Sequence, residues 1–139
     1  MTKEWKEGDT LEPISLELTL RRAVQAVSGT RDFYPFHHDE QFAKENGAET
    51  IFFNTMFLQG FVGRAAAEWF GNDSFLRKVE IAMRSSNYVG RTLTAEGTVE
   101  STRESNGCKL VDVDVTLATE DGPTTGVKLT IQLPVSTTP

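Results

Sequence analysis

The sequence predicts an α+β domain spanning residues 1–139, in which an antiparallel sheet curls around one long buried helix. Two observations carry this. Apolar residues recur with a period of two from Phe75 onward, and one earlier segment is apolar around nearly its whole circumference. Period-two alternation gives strands with one dry and one wet face. A helix that is greasy on most sides belongs in an interior. The 139 residues, 38% hydrophobic and 24% charged, suffice for one modest core.

Taken in order, "LEPISLELTL" is strand-like, and "RRAVQAVSGT" fits either a strand or a short helix. Asp39 is a candidate N-cap for a short helix over "DEQFAKENG", which Gly47 stops. Asn54 or Thr55 caps a longer helix, "NTMFLQGFVGRAAAEWFG", which ends at Gly71. Arg64 inside that helix needs a helix end or an acidic partner. Val79, Ile81 and Met83 then alternate with Lys78, Glu80, Ala82 and Arg84, and Leu93, Ala95, Gly97 and Val99 with Thr94, Glu96, Thr98 and Glu100. Val111, Val113, Val115 and Leu117 form a third series, and Val127 to Val135 a fourth. "ESNGC" and "EDGPTTG" supply the Asn-Gly and Asp-Gly turns of hairpins, so the C-terminal half reads as an antiparallel meander. A meander curled around a buried helix is the hot-dog arrangement. Its unpaired edge has to be covered or joined to a partner's edge, which predicts a dimer.

Lys+Arg of 14 against Asp+Glu of 20 gives a net charge of -6. That balance argues against nucleic-acid binding, which needs a cationic surface to displace counterions. A local group of arginines can still serve an anionic ligand. Cys108 is alone, which excludes an internal disulfide and a cysteine-based metal site; it reads as a small half-buried residue. The charged start, "MTKEWKEGDTLEP", lacks the apolar core of a signal peptide. Asn54, Gln59 and Arg64 make the most apolar segment too polar for a membrane span. A cytoplasmic protein is expected.

"TRDFYPFHHDEQFAKENGAETIFFN" contains both histidines of the chain. Taken alone, Asp32 fits an Asx-turn leading into Tyr34-Pro35, and Asp39 fits a helix cap. His37 and His38 fit a partly buried and a solvated histidine. Adjacent residues of an extended segment face opposite ways, so the two imidazoles are poorly placed for one metal ion, and no metal is expected. No "GxSxG" elbow exposes a serine nucleophile. A sharper reading pairs Asp32 with His37 across the proline-stiffened turn. A carboxylate and an imidazole converging on one water can take a proton from it and return one to carbon, as hydration of an activated double bond requires. The N-terminus of the long helix, near Thr55, supplies unpaired N–H groups for the charge that develops on the activating carbonyl.

These residues resemble a known family. "DFYPFHHD" is similar to the "D-x-N-P-x-H-x-D" signature of MaoC-like (R)-specific enoyl-CoA hydratases, and "IFFNTM" stands where that family has "IVHGM". "SNYVGRTLTAEGTV" resembles the family's "PVYPGDTLTAEGEV", and "EGDTLEPISLELT" is also typical. Tyr34 replaces the signature's Asn, Asn54-Thr55 its "HG" pair, and Arg31 the glycine before the aspartate. The combination is similar to the small subunit of two-chain hydratases acting on steroid side-chain enoyl-CoA thioesters. The resemblance implies that Asp32 and His37 hold the attacking water for syn addition across the 2,3-double bond. It implies that the Thr55 N–H faces the thioester oxygen, and that Asn54 orders this corner or caps the helix. Tyr34 changes the hydrogen bonding within the loop. Coenzyme A enters as part of the substrate, with no separate cofactor, and Arg31, Arg84 and Arg91 are candidates to meet its phosphates. The implied assembly is a homodimer, or a hetero-oligomer with a second MaoC-like chain. Two alternatives stay open: a hot-dog acyl-CoA thioesterase, for which Glu68 is poorly placed, and a subunit active only beside a different chain.

Overall fold

The computed structural model describes residues 3–135. Strand β1 (Ile14–Glu17) leads into helix α1 (Leu20–Thr30), whose first turn is capped by the Thr19 hydroxyl accepting from Arg22 N–H. The segment left open between strand and helix is therefore helical: Ala23 and Val27 are buried one turn apart, and Leu20 and Val24 stay exposed. A 3-10 turn (Pro35–His37) and a short helix α2 (Glu40–Glu45) follow, with Asp39 capping α2 through Phe42 N–H as its position predicts. Helix α3 (Thr55–Phe70) then runs for about 24 Å.

Strands β2 (Phe75–Met83), β3 (Thr92–Ser105), β4 (Cys108–Thr119) and β5 (Gly122–Gln132) complete a five-stranded antiparallel sheet of order β1-β3-β4-β5-β2. Asn106 and Gly107, at φ 51° and 77°, make the predicted β3–β4 hairpin turn, where both central residues need positive φ. Only β3, β4 and β5 form a meander. β2 pairs with β5 from the far side, so residues 84–91 must cross to reach β3. Period-two alternation tells which way side chains face and not which strand lies alongside. The crossing segment also lacks an Asn-Gly turn. The last apolar series ends early as well, since β5 stops at Gln132 and Val135 is exposed.

Inward residues of the sheet and of α3 meet in one core, which contains Leu58, Phe61, Val62, Ala65 and Ala66 from the helix. Their spacing marks one face. The opposite face is open, with Met56, Gln59, Gly60, Arg64 and Glu68 exposed, so the helix is not buried all round within this chain. Arg64 finds the acidic partner it needs in Glu68, one turn on, at 2.8 Å. At Gly97 of β3 a Cβ would lie 2.8 Å from Leu11, in the segment before β1, and 3.3 Å from Trp69, near the end of α3. The sheet leaves two edges, β1 and β2, and not one.

Candidate functional site

Three local structures bring the predicted pair together. Helix α1 ends at Thr30, and Arg31 turns the chain with a left-handed backbone, φ 56°. Asp32 follows, and Pro35 opens the 3-10 turn that presents His37. Tyr34, Phe36, Phe42 and Phe52 pack around this loop in tilted and edge-to-face contacts, at centroid distances of 5.2 to 6.2 Å, and hold it against α2. The third structure is residues 51–54, which run beside 87–89. Phe53 N–H donates to Asn87 O, Val89 N–H to Ile51 O, and Phe52 bridges Tyr88.

His37 is 8% exposed, and its Nδ1 lies 2.7 Å from the Phe52 carbonyl oxygen. A carbonyl only accepts, so Nδ1 donates to it and Nε2 is the ring nitrogen left to face Asp32. Nε2 sits 3.4 Å from Asp32 Oδ2, the aspartate side chain being 28% exposed. At that separation the two groups can share a proton or both bind one water. Asp32 also makes the Asx-turn, its Oδ1 facing Tyr34 N–H at 3.4 Å, so the two readings of this residue coexist. His38 turns away to the Phe33 carbonyl at 2.9 Å, which separates the two imidazoles.

Asn54 is the N-cap of α3. Its Oδ1 accepts from Phe57 N–H at 2.8 Å, and its Nδ2 donates to Thr30 Oγ1 at 2.9 Å and to Asp32 Oδ2 at 3.2 Å. Because the cap takes the third N–H of the helix, those of Thr55 and Met56 are left without an intrahelical acceptor. Asp32, His37, Asn54, Thr55 and Met56 line one cleft of about 400 Å³. Tyr34, Phe36, Phe52 and Met83 make the rest of its wall largely apolar. A hollow of about 510 Å³ at the other end of α3, walled by Trp5, Trp69 and Phe70, holds no imidazole–carboxylate pair.

The predicted arginines separate. Arg31 is exposed beside Asp32, with no acidic partner among the described residues. Arg84 shares a hollow with Glu80, Ala82 and Asp114 on the sheet's outer side, away from the cleft that Met83 enters. Arg91 is held between Glu49 at 2.5 Å and Asp121 at 2.8 Å, and hydrogen bonds to these carboxylates raise its pKa further. Its charge is already matched, which speaks against a phosphate contact. Sequence reasoning passed over Thr30 and the Phe52 carbonyl, both of which orient the pair. Of the phenylalanines, Phe53 is core, Phe57 packs against it, Phe36 lines the cleft and Phe33 is 64% exposed.

Comparison with known proteins adds to this geometry. The family model described as "MaoC like domain" matches residues 9–121. The 3-oxo-4,17-pregnadiene-20-carboxyl-CoA hydratase beta subunit of Mycobacterium tuberculosis is 28% identical over 81 residues, 58% of this chain and 63% of that subunit, so the match spans less than two thirds of the relative. Among solved structures, the ChsH1-ChsH2 complex from Mycobacterium tuberculosis superposes with a TM-score of 0.83 at 24% identity, over 91% of this chain and 97% of that one. The (R)-hydratase from A. caviae involved in PHA biosynthesis gives 0.84 at 21%, over 95% and 99%. Both likenesses are of fold, and they match the curled five-stranded sheet and its helix.

Proposed function

The chain belongs to the MaoC-like domain family, and from that premise we propose that it hydrates a 2-enoyl-CoA thioester in the cytoplasm. The reading rests above all on one observation: Nε2 of His37 and the Asp32 carboxylate meet at 3.4 Å in the cleft that the start of α3 enters. A water between them loses a proton to the pair as its oxygen bonds to C3. The electrons of the double bond move onto the thioester oxygen, opposite the N–H groups of Thr55 and Met56. The pair then returns a proton to C2 on the same face. One water is consumed and the pair ends as it began, so the steps also run in reverse as dehydration.

Thr55 donates through its main chain, so its side chain does not remove the donor. The apolar wall of the cleft suits an acyl group, and the relative whose name is a pregnadiene-carboxyl-CoA hydratase subunit supports a bulky steroid side-chain thioester as substrate. The two-chain composition of the ChsH1-ChsH2 complex supports assembly with a second MaoC-like chain. Arg31 is the arginine best placed for coenzyme A phosphates. Thioester hydrolysis is the poorer reading, because Glu68 lies about 20 Å along α3 from Thr55 and is paired with Arg64.

The test follows the conjugated enoyl-thioester absorbance with the chain alone and co-expressed with a second MaoC-like chain. Absorbance should fall without release of free thiol. Asp32→Asn and His37→Ala should each lower kcat by about 10²–10⁴. Activity surviving both substitutions refutes the mechanism, and thiol release without hydration favours the thioesterase.

A further inference from the structure

We propose that Asn54 is a positioning residue that holds the Asp32 carboxylate against His37 and locks it to the start of α3; this rests on the hydration reading above. The orientation of its amide is fixed by chemistry. With oxygen and nitrogen exchanged, Oδ1 would face the Asp32 carboxylate at 3.2 Å, and Nδ2 would face the Phe57 N–H at 2.8 Å. Thr30 confirms the direction. Its hydroxyl donates to the Ala26 carbonyl at 2.6 Å, so toward Asn54 it accepts. Both hydrogens of the Asn54 amide are thus engaged, one on the last residue of α1 and one on Asp32.

Capping alone does not call for this residue type. Serine, threonine and aspartate cap a helix about as well as asparagine. Aspartate, though, would set a second carboxylate against Asp32, and a serine hydroxyl is too short to span the helix N–H, Thr30 and Asp32 together. The side chain here must accept from the helix and donate to a carboxylate, and the asparagine amide does both. Asn54 is 5% exposed, so water does not readily take the place of its bonds. Two residues earlier, the Phe52 carbonyl fixes His37 through Nδ1. Residues 52–54 therefore orient both halves of the pair, and the helix that begins at Thr55 carries the oxyanion donors. Base, acid and oxyanion site are referenced to one short, doubly tied segment. Misplacement of such groups by about 1 Å costs about 10²-fold in rate.

Two variants that keep the cap test this: Asn54→Ser and Asn54→Asp. Melting temperature, kcat and KM on a 2-enoyl-CoA, and a crystal structure of Asn54→Ser are measured on the species that is active, alone or with its second chain. For Asn54→Ser, melting within a few degrees of the unsubstituted protein is expected, with kcat down about 10²-fold and KM changed only a few-fold; Asn54→Asp, which sets two carboxylates together, should melt lower. In the crystal the Asp32 carboxylate should rotate away from Nε2. Asn54→Ser with near-normal kcat, an unmoved carboxylate, or collapse of the melting temperature in both variants overturns the proposal. If the unsubstituted protein hydrates no 2-enoyl-CoA, the hydration reading fails by itself, and the carboxylate's place in Asn54→Ser still decides the positioning role.

Discussion

Arg31 holds a left-handed backbone, φ 56°, where a Cβ costs about 1–2 kcal/mol and glycine is the usual occupant. Such strain persists where the side chain serves a purpose. Arg31 stands next to Asp32, exposed and without an acidic partner among the described residues. Arg31→Gly should therefore stabilise the fold by about 1 kcal/mol, read as a higher melting temperature. It should also raise KM for an acyl-CoA while leaving KM for the matching pantetheine thioester unchanged; equal effects on both remove Arg31 from the phosphate site. At this scale the sequence was informative where two distinctive residue types stand close in the chain, as for Asp32 and His37, which the fold brings to 3.4 Å. It was silent on Phe52, because every residue has a carbonyl and only the fold selects one. The pairing of Arg91 was not legible, because its partners, Glu49 and Asp121, lie 42 and 30 residues away in the chain.

Strand β3 shows what alternation conveys and what it omits. Its inward residues shrink from Leu93 to Ala95 and Gly97, and the space they leave is filled by Leu11 and Trp69. The smallness was visible in the sequence, but the approaching side chains come from distant segments. Gly97→Val should overpack this point and cost about 1–3 kcal/mol, measured by denaturant unfolding; an unchanged midpoint would mean that Leu11 swings aside freely. On the outer face, Asp112 accepts from Arg103, Thr130 and Ser101, and these bonds, Arg103 first, hold its carboxyl below the ordinary range. A depressed folded pKa stabilises the fold above the unfolded value of about 3.9. That stabilisation is lost as pH falls through the lower folded value. Asp112→Asn should thus cost about 1 kcal/mol at neutral pH, and the two proteins should converge in stability as the medium is acidified through the lowered pKa of Asp112. The same strands explain why the meander was overextended: the sequence marks the Asn-Gly hairpin clearly, but nothing in the alternation of β2 says that it pairs with β5.

For the molecule as a whole, the sequence made the sheet, the helix and their order legible, and left open what covers the surfaces the fold leaves bare. β1 and β2 are unpaired edges, Tyr34 and Met56 stand exposed in the lining of the cleft, and Phe33, between Asp32 and Tyr34 in the chain, is exposed as well. Apolar side chains grouped at a cleft mouth are covered by a partner chain or by substrate. A helix face bearing Gly60, Arg64 and Glu68 is equally open, so α3, which reads as wholly interior in the sequence, is only half so in one chain. Sedimentation should find at least two chains in the active species, either two copies or this chain with a second MaoC-like one. Phe33→Glu separates the two kinds of cover. At 64% exposure the substitution should change the stability of a single chain by no more than about 0.5 kcal/mol. A carboxylate placed in an apolar contact between chains has no partner there, so the assembly should fall apart to single chains on the sedimentation profile. If the assembly instead keeps its mass and KM for the enoyl-CoA rises, Phe33 meets the acyl group. An unchanged mass with an unchanged KM returns it to solvent and removes the cleft mouth from the interface.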